Sequence, residues 1–333
     1  MARNNYSYEK RRKELEKQKK REEKRTRRLE KKNAPDIATL NERFGIPGQL
    51  SVTEDSGGMA AVEVSNDGGS ANIALQGANL KTWAPEGAKP VIWLSPDATF
   101  APGKSIRGGA PVCWPWFGPH ESNPSFPGHG FARTVPWEII ETEAVSESET
   151  RLVFGLVQDD ATLPQWPYET ELELHITVGA TLTMDLVTRN TGTRPVTIGD
   201  ALHTYFAVSD IRKVAIEGLD GCPYIDKMDA ATRKQQKGSV VISEETDRIY
   251  LDSTADVIID DQGNNRRIRI SKRGSASTIV WNPWVETAAK MGDLGEDGYL
   301  GMVCVENANA ADDVVTIEPG DAHHLWVSYS LDS

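Results

Sequence analysis

A histidine and a glutamate about a hundred residues apart are the side chains of this chain best suited to transfer protons. His203 lies in ALHTYFAVSDI and Glu306 in YLGMVCVENANA, and both sequences are β-like. A histidine titrates near neutral pH and can therefore donate or accept a proton. A carboxylate after an apolar run is costly to bury unless it is paired or its pKa rises, and a general base exploits that situation. The structural alternatives are a buried histidine bonded to backbone and an exposed glutamate at a strand end.

Two arginines could bind an anion beside this pair. Arg107 precedes Gly108-Gly109 in SIRGGAPVCWPWFGPH, and paired glycines let a ligand approach the backbone closely. Arg133 lies in PGHGFARTVPWE. Guanidinium groups suit phosphate and carboxylate, although Arg-Gly-Gly is common in turns and Arg133 could form a structural salt bridge instead. Together the four side chains indicate proton transfer on a phosphorylated sugar.

No metal site or nucleotide cofactor is expected. The cysteines Cys113, Cys222 and Cys304 are far apart and without metal-type spacing, and His323-His324 has no further ligand at the usual spacing. G-x-G-x-x-G, P-loop and G-x-S-x-G motifs are absent from the sequence. Odd, dispersed cysteines favour a reducing compartment, and neither a secretion signal nor a long apolar run is seen, so a cytoplasmic protein is the expectation.

The elements that must position these side chains are predicted to be β-strands. Apolar and polar residues alternate with a period of two in many short runs, which Gly, Asn, Asp and Pro separate. On such a strand His203 and Tyr205 share a face. The runs are AAVEVSN, ANIALQ, PVIWLSP, WEIIETEAV, TRLVFGLVQ, ELELHITVGA, TLTMDLVTRN, KVAIEGL, SVVISE, RRIRISKR, STIVWNP, GMVCVEN, DVVTIEPG and HHLWVSYSL. More than a dozen strands without a long helix predict an all-β chain, folded as a large β-sandwich.

The charge divides the chain into two parts. Residues 1–33 carry 15 basic and 6 acidic side chains, a net charge of +9, whereas the other residues carry 22 basic and 43 acidic ones, a net charge of −21. We therefore expect a charged N-terminal extension over residues 1–35 and a β-sandwich domain over residues 36–333, with a short helix in IATLNERFG after Asp36. A disordered or solvated helical extension is favoured over a nucleic-acid-binding arm, because basic charge alone is non-specific.

Several segments together carry a family resemblance. In order they are SIRGGAPVCWPWFGPH, PGHGFARTVPWE, ALHTYFAVSDI, YIDKM, ETDRIYLD, VWNPW and CVENAN. Over about residues 42–331 the chain resembles the hexose-6-phosphate mutarotases, or glucose-6-phosphate 1-epimerases, of the aldose-1-epimerase (galactose mutarotase-like) superfamily. The resemblance implies a β-supersandwich and an isomerase that interconverts the α and β anomers of D-glucose 6-phosphate and related hexose 6-phosphates. Members of that family are often monomeric, so a monomer is expected.

The resemblance also implies roles for individual residues. His203 and Glu306 correspond to the catalytic histidine and glutamate, and Arg107 and Arg133 to arginines that contact phosphate or substrate. Asp247 in ETDRIYLD corresponds to a substrate-contacting aspartate. His129 should line the same site, whereas Gly128 occupies a position where some members have a polar residue such as Gln, so one side-chain contact is missing here. These substrate-binding positions are therefore Arg107, Arg133, Asp247, Gly128 and His129.

Other functions remain open at this level. A mutarotase for unphosphorylated aldoses would share the fold and the acid–base pair, and would differ only in the cationic clamp. A non-catalytic carbohydrate-binding module would keep the fold without the chemistry. The aromatic residues around the site could form a flat wall for sugar or belong to the core: Trp114, Trp116, Phe117, Trp281 and Trp284.

Overall fold

A computed structural model describes residues 36–55, 57–158 and 162–332. The contacts divide the chain after Arg43, and the second unit begins at Phe44. Helix α1 spans Ile37–Phe44, and its first turn is closed by the Leu40 amide donating to the Asp36 carbonyl at 3.0 Å. The helix predicted for IATLNERFG is therefore confirmed, whereas the predicted charged extension, residues 1–35, lies outside the described residues.

Strands are the main regular elements of the second unit. One further α-helix, α2, spans Trp284–Lys290. In chain order the strands are β1 Leu50–Glu54, β2 Ala60–Asn66, β3 Gly69–Ala74, β4 Asn79–Pro85, β5 Val112–Cys113, β6 Trp137–Ser146, β7 Glu149–Leu156, β8 Thr170–Val178, β9 Leu182–Asn190, β10 Val196–Ile198, β11 Asp200–Leu202, β12 Tyr205–Ala207, β13 Val214–Glu217, β14 Pro223–Asp226, β15 Thr232–Gln235, β16 Val240–Val241, β17 Thr246–Tyr250, β18 Val257–Asp261, β19 Arg266–Arg273, β20 Ser277–Asn282, β21 Met302–Asn309, β22 Val315–Ile317 and β23 Ala322–Asp332.

Two large antiparallel sheets dominate this unit. The nine-stranded sheet has the order β16-β13-β18-β19-β23-β9-β8-β7-β6. The eight-stranded sheet has the order β15-β14-β17-β20-β21-β11-β5, with β12 also paired to β21. Strands β1–β4 form a four-stranded sheet, and β10 pairs with β22. The all-β sandwich predicted from the alternating runs is confirmed.

The core lies where the two large sheets face each other. Phe206 of β12 and Tyr329 of β23 make an edge-to-face contact with ring centroids 5.0 Å apart. The Tyr329 hydroxyl is also hydrogen-bonded to the hydroxyl of Thr204 at 2.7 Å, which satisfies two buried polar groups together. On β8 every second side chain is buried, as expected for a strand with one face on a core.

One local prediction was wrong, and one element was not predicted. PVIWLSP was predicted to be a strand, but it makes only single bridges, Ile92 to Phe206 and Leu94 to Gly108. Prolines bound this run on both sides and lack the amide that a continuous ladder needs. Helix α2 was not predicted, because its seven residues are too few to show a helical period. No helix among the described residues is long and apolar enough to cross a membrane.

Candidate active site

His203 lies in a two-residue break between β11 and β12, not within a continuous strand. Its backbone amide donates to the Pro111 carbonyl at 3.0 Å, and the Thr204 amide donates to Leu202 at 2.8 Å. The imidazole stacks on the Tyr205 ring, with centroids 5.1 Å apart and planes 16° apart. The predicted common face of His203 and Tyr205 is thus confirmed, although the backbone between them leaves the ladder.

Glu306 lies in the middle of β21, where every residue is buried. Its side chain is only 2% exposed, so the alternative of an exposed charge at a strand end is wrong. β21 pairs with β20 on one side and with β11 and β12 on the other, which places Glu306 opposite Ile279. Because the Glu306 carboxyl group is shielded from water, the side chains around it determine its electrostatic environment.

His203 and Glu306 form a buried pair. The His203 Nε2 and the Glu306 Oε1 lie 3.4 Å apart, and the imidazole side chain is 12% exposed. Neither His203 Nδ1 nor Glu306 Oε2 has a hydrogen-bond partner in the part of the chain that the structure describes. Each group therefore lies close to the other. His203 Nδ1 and Glu306 Oε2 remain available for hydrogen bonds to a substrate.

The environment pushes both groups of the pair toward their neutral forms. Burial raises the pKa of Glu306 well above its usual value, and the nearby Asp247 carboxylate acts in the same direction. Burial lowers the pKa of His203 well below its usual value, and the His129 and Arg133 side chains add to this effect. These two shifts favour the form of the pair that holds one proton, on the carboxyl group. A glutamate anion beside an imidazolium also holds one such proton. The neutral pair and the ion pair therefore differ only by transfer of a proton from Glu306 to His203.

A tightly fixed loop carries Arg107. The Gly109 amide donates to Trp93 at 2.7 Å, and the Asn79 side-chain amide donates to the Gly108 carbonyl at 3.3 Å. The Arg107 guanidinium donates through Nε to Asp293 at 3.0 Å and through a terminal nitrogen to the Tyr205 hydroxyl at 3.0 Å. Because Tyr205 also stacks on His203, it connects the guanidinium to the imidazole.

Gly128 and His129 lie in a turn beside the pair, and Arg133 lies in a short 3-10 helix, Ala132–Thr134, that follows it. Arg133 donates to the Gly128 carbonyl at 2.9 Å and makes no salt bridge with any described residue. The His129 ring lies 5.8 Å from the His203 ring, and its Nδ1 accepts from the Gly118 amide at 3.3 Å. Burial lowers the pKa of His129 to about 3, so its ring is neutral and carries its proton on Nε2. A Cβ atom added at Gly128 would have only the Gly118 carbonyl oxygen within 4 Å, at 3.8 Å, so the position has room for a Cβ.

Asp247 enters the site from β17, next to the strand that carries Trp281. Asp247 pairs in register with Trp281, and its carboxylate forms a 2.9 Å salt bridge with Lys227. The Trp281 ring lies 6.0 Å from the His203 ring, so this tryptophan borders the site. Trp114, by contrast, is fully buried and belongs to the core.

Comparison with known proteins identifies the family. The family model described as Aldose 1-epimerase matches residues 60–330. The chain belongs to the aldose 1-epimerase family. A protein of Escherichia coli K12 named "Putative glucose-6-phosphate 1-epimerase" is 39% identical over 254 residues, covering 76% of this chain and 84% of that protein. A protein of the same name from Salmonella typhimurium is 38% identical, covering 72% of this chain and 80% of its own length.

A solved structure of this family has the same fold. The crystal structure of a "putative mutarotase" from Salmonella typhimurium superposes with a TM-score of 0.80 at 32% identity. The alignment covers 89% of this chain and 99% of that one. The galactose mutarotase-like sandwich expected from the sequence is therefore confirmed, and the chain is an isomerase of the aldose 1-epimerase type.

Most of the residues singled out in the sequence converge around the His203–Glu306 pair of this epimerase. Arg133 and Asp247 each shift the pKa of Glu306, and Arg107 shifts the pKa of His203. His129 reaches the pair through its ring, and Gly128 through its contact with Arg133. Their roles in binding and catalysis remain predictions.

Sequence reasoning missed other residues of the epimerase site. Lys227 lies within YIDKM, a segment that carries the family resemblance, but nothing in the sequence alone joined it to Asp247. Asp293 lies in a loop after α2 and has no sequence signal, because its role depends on its contact with Arg107. Cys304 is fully buried two residues before Glu306, and was interpreted only as a small apolar group.

Proposed function

We propose that this epimerase interconverts the α and β anomers of D-glucose 6-phosphate, and of related hexose 6-phosphates, by general acid–base ring opening. The observation that carries the proposal is the buried His203–Glu306 pair, with Nε2 and Oε1 3.4 Å apart, beside cationic side chains. The names of the relatives in Escherichia coli and Salmonella typhimurium support the same substrate class.

The proton balance of ring opening assigns a role to each member of the pair. The anomeric O1 hydroxyl must lose a proton and the ring oxygen O5 must gain one as the C1–O5 bond breaks. Glu306 as the anion accepts the O1 proton, and His203 as the imidazolium donates to O5. The open-chain aldehyde rotates about C1–C2 and closes on its other face with the roles reversed. Each positioned group contributes about 10²–10⁴-fold to such a reaction.

The reactive form of the pair requires no proton from solvent. Burial raises the pKa of the Glu306 carboxyl and so favours the form in which the single shared proton is on Glu306. Transfer of this proton to His203 Nε2, 3.4 Å away, produces the anion and the imidazolium together. Arg133 and Lys227 favour the glutamate anion electrostatically, so they support this form.

Binding of the phosphate is assigned to Arg107 and Arg133. The full chain has a net charge of −12, so a local cationic group is needed where a phosphate dianion binds. Arg107 is already paired with Asp293, whereas the Arg133 side chain hydrogen-bonds only the Gly128 carbonyl among the residues that the structure describes. The charge of Arg133 is therefore less neutralised than that of Arg107, and Arg133 is the better candidate to bind phosphate.

Anomer exchange followed by saturation-transfer NMR tests the proposal. Wild type and Glu306→Gln are compared with glucose 6-phosphate and with glucose as substrates. We expect wild type to accelerate exchange of the phosphorylated sugar and Glu306→Gln to lose most of that acceleration. Faster exchange of glucose than of glucose 6-phosphate would instead favour a mutarotase for unphosphorylated aldoses, and no acceleration by folded wild type would leave only carbohydrate binding.

A further inference from the structure

A third potential metal ligand lies beside the His203–Glu306 pair. Cys304 and Glu306 are two residues apart on β21, so their side chains point to the same face of the sheet. Cys304 also pairs in register with Tyr205, two residues after His203. A ligand atom from each of His203, Cys304 and Glu306 lies within 4.8 Å of the other two, and Cys304 and Glu306 are almost completely buried.

The spacing of these atoms fits a tetrahedral ion of the size of zinc. With Zn–N and Zn–O distances of about 2.0–2.2 Å and tetrahedral angles, the nitrogen and oxygen ligands are roughly 3.4 Å apart. The observed separation of His203 Nε2 and Glu306 Oε1 is 3.4 Å. With a Zn–S bond of about 2.3 Å, the sulfur should lie roughly 3.6 Å from the other two ligand atoms. Binding therefore requires the Cys304 sulfur to move by about 1 Å at most.

The site also has unused ligand capacity. Glu306 Oε2 is buried without a hydrogen-bond partner among the described residues. Imidazole, thiolate and carboxylate form a mixed set that suits zinc and related divalent transition metals, and not magnesium or calcium. As the metal binds, the Cys304 thiol and the Glu306 carboxyl each release a proton to solvent, because the ion is held by thiolate and carboxylate.

We propose that His203, Cys304 and Glu306 form a binding site for Zn²⁺ and that the bound ion blocks the epimerase. Water completes the coordination on the side where His203 is partly exposed. Metal binding is independent of the proposed function, whereas inhibition rests on it, since the ion occupies the two atoms that would transfer protons. His203 Nδ1 has no described acceptor to orient the ring, so affinity should fall below that of a structural zinc site by about 10–100-fold.

Titration with Co²⁺, a coloured substitute for Zn²⁺, tests the binding. All proteins carry Cys222→Ser, because the Cys222 thiol is partly exposed and could bind cobalt by itself. We expect one equivalent of Co²⁺ to produce thiolate-to-cobalt charge-transfer absorption, and Zn²⁺ to displace it. Cys304→Ser should abolish this absorption, whereas Cys113→Ser, which removes a buried thiol from β5, should leave it unchanged.

Activity and a second spectroscopic measurement complete the test. Zn²⁺ should inhibit anomer exchange over the same concentration range as it displaces cobalt, and glucose 6-phosphate should protect. Whatever rate Cys304→Ser retains without zinc should be unchanged by zinc over that range. X-ray absorption of the zinc-loaded protein should show one sulfur neighbour, a result that needs no variant. Absence of cobalt absorption, absorption retained in Cys304→Ser, or zinc with only nitrogen and oxygen neighbours would each overturn the site. Metal binding by a protein without epimerase activity would overturn the proposed function but retain the site.

Discussion

At the scale of single residues, burial favours the neutral forms of His203 and Glu306, whereas the proposed mechanism uses their charged forms. Burial moves the pKa of Glu306 up and that of His203 down, so the pair keeps a single proton over a wide pH range. The mechanism needs that one proton, placed on either group. Activity should therefore depend on the number of protons in the pair more than on the ordinary pKa of a histidine.

We expect kcat/KM for anomer exchange to be bell-shaped in pH, with a broad plateau through neutrality. On the acidic side the pair gains a second proton, and the lowered pKa of His203 places that limb well below pH 6.5. On the basic side the pair loses its only proton, and the raised pKa of Glu306 places that limb well above pH 4.5. NMR exchange rates, corrected for the uncatalysed reaction at each pH, give the profile. An acidic limb centred near pH 6.5 would contradict this account.

Arg133 gives a prediction about substrate discrimination. Arg133→Ala should raise KM for glucose 6-phosphate by about 10–100-fold, because a charge-assisted hydrogen bond contributes about 1.5–3 kcal/mol. The KM for unphosphorylated glucose should change little, whereas loss of the electrostatic support that Arg133 gives the Glu306 anion should lower kcat for both sugars alike. Arg151→Ala is the control, since it removes a guanidinium that pairs with Glu141 and Glu143 on a strand of the other large sheet. Equal effects of Arg133→Ala on the KM values for the two sugars would mean that phosphate binds elsewhere.

At the scale of elements, short irregular segments, and not the long strands, present most of the site. The loop with Arg107 depends on Gly108, which has φ +99° and whose added Cβ would lie 2.7 Å from the Trp93 carbonyl. Gly103 has a similar left-handed φ of +73°, but no atom lies within 4 Å of its added Cβ. The two glycines thus differ in packing and share the backbone conformation.

Replacing each glycine by alanine separates these effects. Gly103→Ala should lower the free energy of unfolding by about 1 kcal/mol, the cost of a left-handed backbone for an L-residue. Gly108→Ala should lower it by about 3 kcal/mol, because a clash with backbone is added, and should raise KM for glucose 6-phosphate by displacing Arg107. Chemical denaturation and steady-state rates give both values. Equal destabilisation by the two changes would show that the close contact with Trp93 is unimportant.

An element of this fold can be predicted from the sequence when one of its faces is buried and the other is exposed. Strands such as β8 and β9 have one buried face, so their alternation was visible. The break at His203 was not, because it is created by a hydrogen bond to Pro111, which is distant in sequence. His203, Glu306 and Arg107 were found by residue type and resemblance. Lys227 and Asp293 depend on partners brought by the fold, and no spacing rule joins Cys304 to His203.

At the scale of the whole molecule, one buried carboxyl group links stability to pH. Asp200 is fully buried, and neither side-chain oxygen has a described hydrogen-bond partner. Burial raises its pKa from 3.8 to about 8, although the Asn309 backbone opposes this in part. The folded protein therefore keeps the group protonated where the unfolded chain ionises it. The stabilising contribution is complete below pH 3.8 and is lost as pH rises to about 8.

Asp200→Asn should remove this dependence, because an amide resembles the neutral acid and does not ionise. At about 1.4 kcal/mol for each pH unit of the window, wild type should lose up to roughly 5 kcal/mol relative to the variant between pH 4 and pH 8. Denaturant titrations at both pH values measure the difference. Asp67→Asn, at an exposed position, is the control and should follow wild type. A difference between wild type and Asp200→Asn that is independent of pH would show that Asp200 is ionised in the folded protein.

The position of Glu306 has a consequence for local unfolding. β21 is bonded on both sides, so its amide hydrogens exchange with solvent only when the sheet opens, at a free energy close to that of global unfolding. The amide of His203, held by a single bond to Pro111 in a break between strands, belongs to a smaller opening unit. Mild denaturant should therefore release the proposed acid before the proposed base. Activity would then be lost while β21 is still protected from exchange.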